Sequence, residues 1–268
     1  MMQVNSIIVN VFFGPLVNGA RAIAIQMHNA VNSFSSSFLT AIKSPIIKSY
    51  SNKDYSHLDK IFDASNRFIL YSLLIICIPL WLEMDTILRL WLSVNDNETV
   101  LYARLMIGYT FIMALNNPIS FIIHATGHVK EYHTKVEIPT LLCIPATYLL
   151  FKMGCHAFVT FVSMILAALI SHIIRMICVK KYYDRFSYRH YILQLLFPAV
   201  IIGLAAGGVS FFAHFFVDNY VYRFFTVFIL STTVIVTLAY FVGFSPFEKK
   251  MINNYLKLLT TKVLKNNE

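Results

Sequence analysis

Gly14-Pro15-Leu16-Val17-Asn18-Gly19-Ala20-Arg21 opens a stretch that runs to Lys43 with Arg21 as its only charged residue before that end. At ~1.5 Å per residue it is long enough to cross the ~30 Å hydrocarbon core of a bilayer. On a helix at about 100° per residue, Asn18, Arg21, Asn29, Asn32, Ser36 and Thr40 fall on one face, with Ile25 the only apolar member. The other faces carry Leu16, Ala20, Ile23, Ala24, Met27, Val31, Phe34 and Phe38. A cation and a row of amides are costly in lipid, and such residues usually face a bundle interior or a water-filled path. The stretch reads as one wall of a transport cavity, with Arg21, Asn18, Asn29, Asn32 and Ser36 as candidate contacts. For Arg21 two other uses stay open: an ion pair with Glu83, Asp85 or Glu137, or snorkelling to the nearer interface.

Composition agrees. The 268 residues are 57% hydrophobic and 13% charged, against about a quarter charged in a soluble chain, and mean hydropathy is +0.64. These values predict an all-α, polytopic membrane bundle. Apolar runs place seven full spans near 17–42, 66–83, 100–123, 134–152, 155–179, 191–216 and 222–243, plus a partial one at 4–13 that stops at Gly14-Pro15. That first run covers only ~15 Å. The chain thus begins as if in mid-membrane and reads as a fragment or a truncated reading frame. Its first residues lack the basic start of a signal peptide.

The net charge of +9 would point to nucleic acid in a soluble protein. Here it follows from the loops, and no nucleic-acid partner is expected. Basic residues gather at 43–67, 124–135, 175–190 and in the tail, seventeen against four (Arg89, Arg104, Lys152, Arg223) on the opposite parity. The positive-inside bias assigns loops 43–66, 124–135 and 175–190 and the C-terminus to the cytoplasm, where they meet anionic lipid. Residues 1–244 form the transmembrane bundle, and 245–268 an amphipathic cytoplasmic tail with apolar positions at Phe247, Met251, Ile252, Tyr255, Leu256, Leu259 and Val263. Residues 54–65 read as a shorter surface helix of the same kind.

Other motifs are weaker. Gly14-x4-Gly19 is followed by Ala20-Arg21, so it is no phosphate loop, and Gly14-Pro15 serves to break a helix. His124, His128 and His133 are spaced as ligands could be, but Gly127 interrupts them, and interfacial histidines are the preferred reading. Asn97-Glu98-Thr99 matches a glycosylation acceptor. Gly203-x3-Gly207 fits close helix approach within the chain. Asn116 and Asn117 precede Pro118 inside a span, where they either line a cavity or pair with backbone groups that the proline frees. Four dispersed cysteines give no disulfide framework, and no cofactor motif is present.

The run Asn5-Ser6-Ile7-Ile8-Val9-Asn10-Val11-Phe12-Phe13-Gly14-Pro15-Leu16-Val17-Asn18-Gly19-Ala20-Arg21 resembles the middle of polysaccharide flippases. Ala30-Val31-Asn32-Ser33-Phe34, Lys43-Ser44-Pro45-Ile46-Ile47-Lys48-Ser49-Tyr50, Leu88-Arg89-Leu90-Trp91-Leu92 and Ala125-Thr126-Gly127 continue the likeness. These are Wzx-type O-antigen or lipopolysaccharide exporters of the MATE-like superfamily. The resemblance implies the C-terminal half of a two-lobed bundle of twelve to fourteen helices in the bacterial inner membrane, with an N-terminal half as its missing partner. It also implies a substrate, an undecaprenyl-diphosphate-linked oligosaccharide moved between leaflets, with Arg21 facing the diphosphate or an acidic sugar and Asn18, Asn29, Asn32 and Ser36 facing hydroxyls. The alternatives are a cation-coupled multidrug exporter, which needs a mid-membrane acid, and a non-functional half. Short outer loops argue against an enzyme.

Overall fold

The structure, a computed structural model, describes residues 2–93 and 96–254, the side chain of Ser37 excepted. Nearly all of these residues are helical and none forms a strand. The helices are α1 (Met2–Ser51), α2 (Tyr55–Leu82), α3 (Met84–Leu92), α4 (Asn97–Thr126), α5 (Val129–Lys152), α6 (Val159–Tyr182), α7 (Tyr188–Phe216) and α8 (Tyr220–Gly243). Residues 246–254 form a further helical segment. Six helical stretches are long and apolar enough to cross a membrane: Met2–Ser36 within α1, then α2, α4, α6, α7 and α8. That is the pattern of a multi-pass membrane protein. Helix α5, expected as a seventh span, is outside this set, its apolar run diluted by Lys135, Glu137, Pro139 and Pro145.

Gly14 breaks α1 as the sequence indicates. Its φ of 80° and ψ of −179° are non-helical, a region open essentially to glycine alone. The arm before it doubles back on the helix after it. Ser6 Oγ donates to Asn18 Oδ1 at 2.7 Å and Arg21 Nη2 donates to the Met2 carbonyl at 2.7 Å. In a straight helix Met2 and Arg21 would stand roughly 28 Å apart. A Cβ added at Gly14 meets nothing within 4 Å, so Gly14→Ala should cost backbone strain alone, about 1–3 kcal/mol. A thermal melt of the detergent-solubilised variant reads this, and an unchanged midpoint would show that the bend does not need glycine.

Three expectations about the basic loops need correction. The loops are short turns at 52–54, 127–128 and 183–187, because α1, α2, α5 and α6 run on past the apolar runs. Residues 55–65 are the start of α2 rather than a separate surface helix. Arg67 and Arg175, counted with the loops, are buried at 6% and 9% exposure, since each finds partners inside. Of the tail, only residues up to 254 are described. There Glu248 points inward while Phe247 and Met251 are exposed, and the apolar positions at Tyr255, Leu256, Leu259 and Val263 lie outside the described residues.

Prolines inside the spans leave carbonyls without their usual donor four residues on, and polar side chains meet two of them. Pro198 frees the Gln194 carbonyl, which accepts from Arg67 Nη2 at 3.4 Å beside a π turn at Tyr191–Leu196. Pro118 frees the Ala114 carbonyl, which accepts from Asn117 Nδ2 at 3.5 Å. Gly203 lies against Leu74, where an added Cβ would come within 3.1 Å, so this half of the Gly203-x3-Gly207 pair serves packing within the chain.

The bundle has two polar ends. At the lysine-rich end α2, α5, α6 and the 246–254 segment are tied by Arg67–Glu248 (2.9 Å), Arg185–Asp59 (2.7 Å) and Lys181–Glu131 (2.9 Å). At the opposite end Glu83 meets His214 at 2.6 Å and Arg223 at 3.0 Å. Gly14 belongs to that opposite end, with Phe13 packed edge-on against Phe151 near the end of α5. Every basic segment of one parity therefore collects at one end.

Glu131 accepts from Lys135, Tyr182 and Lys181 at the surface, and these bonds, that of Lys135 foremost, hold its carboxyl down to about 2. A depressed carboxyl favours the folded form above its unfolded pKa and loses that contribution as pH falls through its folded value. The difference in melting midpoint between the parent and Glu131→Gln should therefore be full above about pH 4.5 and vanish toward pH 2. A difference independent of pH would exclude the carboxylate as its source.

Candidate functional site

Helix α1 has two unlike faces after Gly14. Ala24, Met27, His28, Val31, Ser35, Leu39 and Ile46 recur at helical spacing and are buried, packed chiefly along α4, where His28 Nδ1 meets Thr110 Oγ1 at 2.8 Å. The other face exposes Gln26, Asn29, Asn32, Ser33, Ser36 and Thr40. Ser36 and Thr40 return their hydroxyl hydrogens to the helix, donating to the Ser33 carbonyl at 2.8 Å and the Ser36 carbonyl at 3.0 Å. The amides of Gln26, Asn29 and Asn32 make no hydrogen bond to any described residue.

This exposed polar face is unlike the exteriors of α6 and α7. The surface of α6 is Leu166, Leu169, Ile170, Ile173 and Ile177, and that of α7 includes Val200, Ile201, Leu204, Phe211 and Phe212. Those faces suit lipid. A face carrying three free amides would lose several kcal/mol against hydrocarbon. Beside it stands a chain of rings, Phe34 to Phe38 at 5.6 Å and Phe38 to Phe68 at 4.9 Å, with Phe34 and Phe68 nearly half exposed. No family model matches the chain, and no match is found among curated proteins or solved structures. The chemistry of the site rests on its own residues: hydrogen-bond donors and acceptors and flat apolar rings, suited to a polyhydroxylated molecule.

The predicted stripe divides. Asn29, Asn32 and Ser36 are on the open face, whereas Arg21 is 1% exposed under the arm that precedes Gly14 and Asn18 is half-buried there. Arg21 forms no ion pair with a described acid, its Nε and Nη1 have no partner, and the Asn5 amide across from this helix, 0% exposed, has none either. Two of the acids named for it are occupied elsewhere, Glu83 by Arg223 and His214 and Asp85 by Arg104 at 3.4 Å, and the third, Glu137, is exposed on α5 and does not pair with it. A guanidinium sealed from water with donors to spare is a strong anion receptor once uncovered.

Asn116 is 3% exposed and faces inward, its Oδ1 at 2.8 Å from His172 Nδ1. His172 in turn stands 3.5 Å from the Tyr191 hydroxyl. One turn further along α4, Ser120 Oγ accepts from Arg175 at 3.0 Å, and Tyr132 accepts from the same guanidinium. These groups join α4, α5, α6 and α7 inside the bundle. Sequence spacing could not reveal them, because partners such as Asn116 and His172 are far apart in the chain. Among the histidines of the 124–133 run, His124 and His133 meet edge-on at 5.7 Å while His128 stacks on Tyr182 at 4.1 Å.

Proposed function

We propose that the chain is the C-terminal lobe of a lipid-linked oligosaccharide flippase of the Wzx type, in the MATE-like superfamily, working in the bacterial inner membrane. The single observation that carries the reading is the exposed polar face of α1, with its unpaired amides, on a bundle whose α6 and α7 exteriors are apolar. In this reading α5 is the seventh span, the lysine-rich end is cytoplasmic, and a second helical lobe stands opposite α1. The undecaprenyl-diphosphate oligosaccharide lies between the lobes. Gln26, Asn29, Asn32 and Ser36 exchange hydrogen bonds with sugar hydroxyls, and Phe34 and Phe68 take the apolar faces of the rings. Arg21 meets the diphosphate when the arm before Gly14 swings aside. Alternating access moves the headgroup while the lipid tail stays in the bilayer, and no covalent bond changes.

The triple replacement Asn29→Leu, Asn32→Leu and Ser36→Leu tests this. All three positions are exposed, so the fold should survive. In cells that depend on this gene for surface polysaccharide, the variant should insert normally and lose at least about tenfold of the export, given that each lost hydrogen bond is worth about 1 kcal/mol. Export at the parent level would mean that this face looks onto lipid or a structural partner, and would sink the reading.

A further inference from the structure

The open face of α1 does not end in the apolar region. Past Thr40 it continues into a surface recess of about 380 Å³ lined by Thr40, Lys43, Ser44, Ile47 and Lys48. Lys43 and Lys48 are exposed, and their ammonium groups make no hydrogen bond, ion pair or ring contact with any described residue. Most other described cations of that end are engaged, among them Arg67 by Glu248, Arg185 by Asp59, Lys135 and Lys181 by Glu131, Lys180 by the Asp184 carbonyl, Lys249 by the Phe241 carbonyl and Arg175 by Ser120. From Arg21 to Lys43 the helix rises roughly 33 Å at ~1.5 Å per residue, close to the ~30 Å thickness of the hydrocarbon core. One helix thus carries a cation near each edge of the apolar region, with the exposed amide face between them.

We propose that the Lys43–Lys48 recess is the inner-leaflet landing site for the diphosphate of a polyprenyl lipid, which enters there before the headgroup moves up the α1 face. The inference rests on the flippase reading and assigns that reading its entry point. The chemistry fits. Two ammonium groups supply up to six donors, and the Thr40 and Ser44 hydroxyls flank them. Lysines at the interface can follow a moving anion, since each is a flexible point charge, whereas Arg21 is fixed under its arm. Ile47 in the same recess offers an apolar surface to the first carbons of the chain.

The experiment uses the whole chain in phosphatidylcholine nanodiscs, titrated with a fluorescent polyprenyl diphosphate and separately with inorganic pyrophosphate. Lys43→Gln with Lys48→Gln should weaken lipid binding at least about tenfold, because two charge-assisted contacts are lost. Lys43→Arg with Lys48→Arg should retain it. Lys130→Gln with Lys250→Gln, at lysines outside the recess whose ammonium groups meet no described residue, should change it less than about twofold. Equal loss in both glutamine pairs would show a diffuse basic surface and overturn the proposal. Parent binding of inorganic pyrophosphate as tight as that of the lipid would assign the recess to a free anion and overturn it equally. If the parent binds the lipid and the Lys43/Lys48 glutamine pair binds it unchanged, the landing site fails while the flippase reading stands. If the parent binds no polyprenyl diphosphate, the flippase reading fails first.

Discussion

Arg21→Met should make the chain more stable and, on the flippase reading, reduce transport. The guanidinium is buried, has a single hydrogen bond to the Met2 carbonyl, and leaves two nitrogens unpaired. No described acid offsets its charge. Removing ionic groups from a dry site in favour of apolar ones of similar volume is often stabilising by about 1–4 kcal/mol. Methionine has the length and pliancy to fill the space. A purely structural arginine would behave the other way, since its loss would open a cavity or strand a partner. The expected pair of readouts is therefore a raised melting midpoint and export reduced about ten- to a hundredfold, the worth of one or two charge-assisted contacts to phosphate. A lowered midpoint would make Arg21 a packing residue. Unchanged export would remove it from the substrate path, whatever the stability. Such an opposition of stability and activity is common where a site is kept unsatisfied for a ligand.

Glu83→Ala is the counterpart and should destabilise the chain, by about 3–5 kcal/mol. Glu83 is 0% exposed at the junction of α2 and α3. Its carboxylate accepts from Thr86 Oγ1 at 2.9 Å and from Arg223 Nε at 3.0 Å, and meets His214 Nδ1 at 2.6 Å. One side chain thus fastens the α2–α3 elbow to the end of α7 and the start of α8. Without it Arg223 keeps Thr86 at 2.9 Å and Asp85 at 3.6 Å, which leaves a largely buried cation poorly compensated. Glu83→Gln should recover part of the loss by keeping the shape and one acceptor. Measured by thermal melts, an alanine variant as stable as the parent would mean that water replaces the carboxylate at no cost. The α7–α8 pair would then be held by its apolar contacts alone.

These two residues also mark how far the chain can be read without its fold. Arg21 stands out in sequence as one cation in a long apolar run. Glu83 and Asp85 look like boundary acids available to it. In the folded chain they belong to Arg104, His214 and Arg223, each from a different helix, and Arg21 is left without an acid among the described residues. The helical periodicity that gathered Asn18 to Thr40 onto one face was sound as geometry. It could not say that the arm before Gly14 would lie over the first part of that face and leave the rest open, nor that Gln26 would share the open part. Asn117 shows the same limit on a smaller scale. Pro118 announces a freed carbonyl, and the fold supplies Asn117 to the Ala114 oxygen while turning Asn116 to His172. Arg67 and Arg175 look like loop cations because apolar runs end near them, yet their helices continue and carry both side chains inward.

What the sequence determined by itself was local: helical class, the approximate places of six spans, the break at Gly14, and the sorting of basic segments to one end. Each depends on length, periodicity, or the conformational freedom of one residue, and a backbone in hydrocarbon must satisfy its own hydrogen bonds. The tertiary structure alone decided which polar groups are paired, which are sealed, and which stay open. Pairing and burial depend on contacts between segments far apart in the chain. In a low-dielectric interior a displacement of a few ångströms turns a satisfied charge into a costly one.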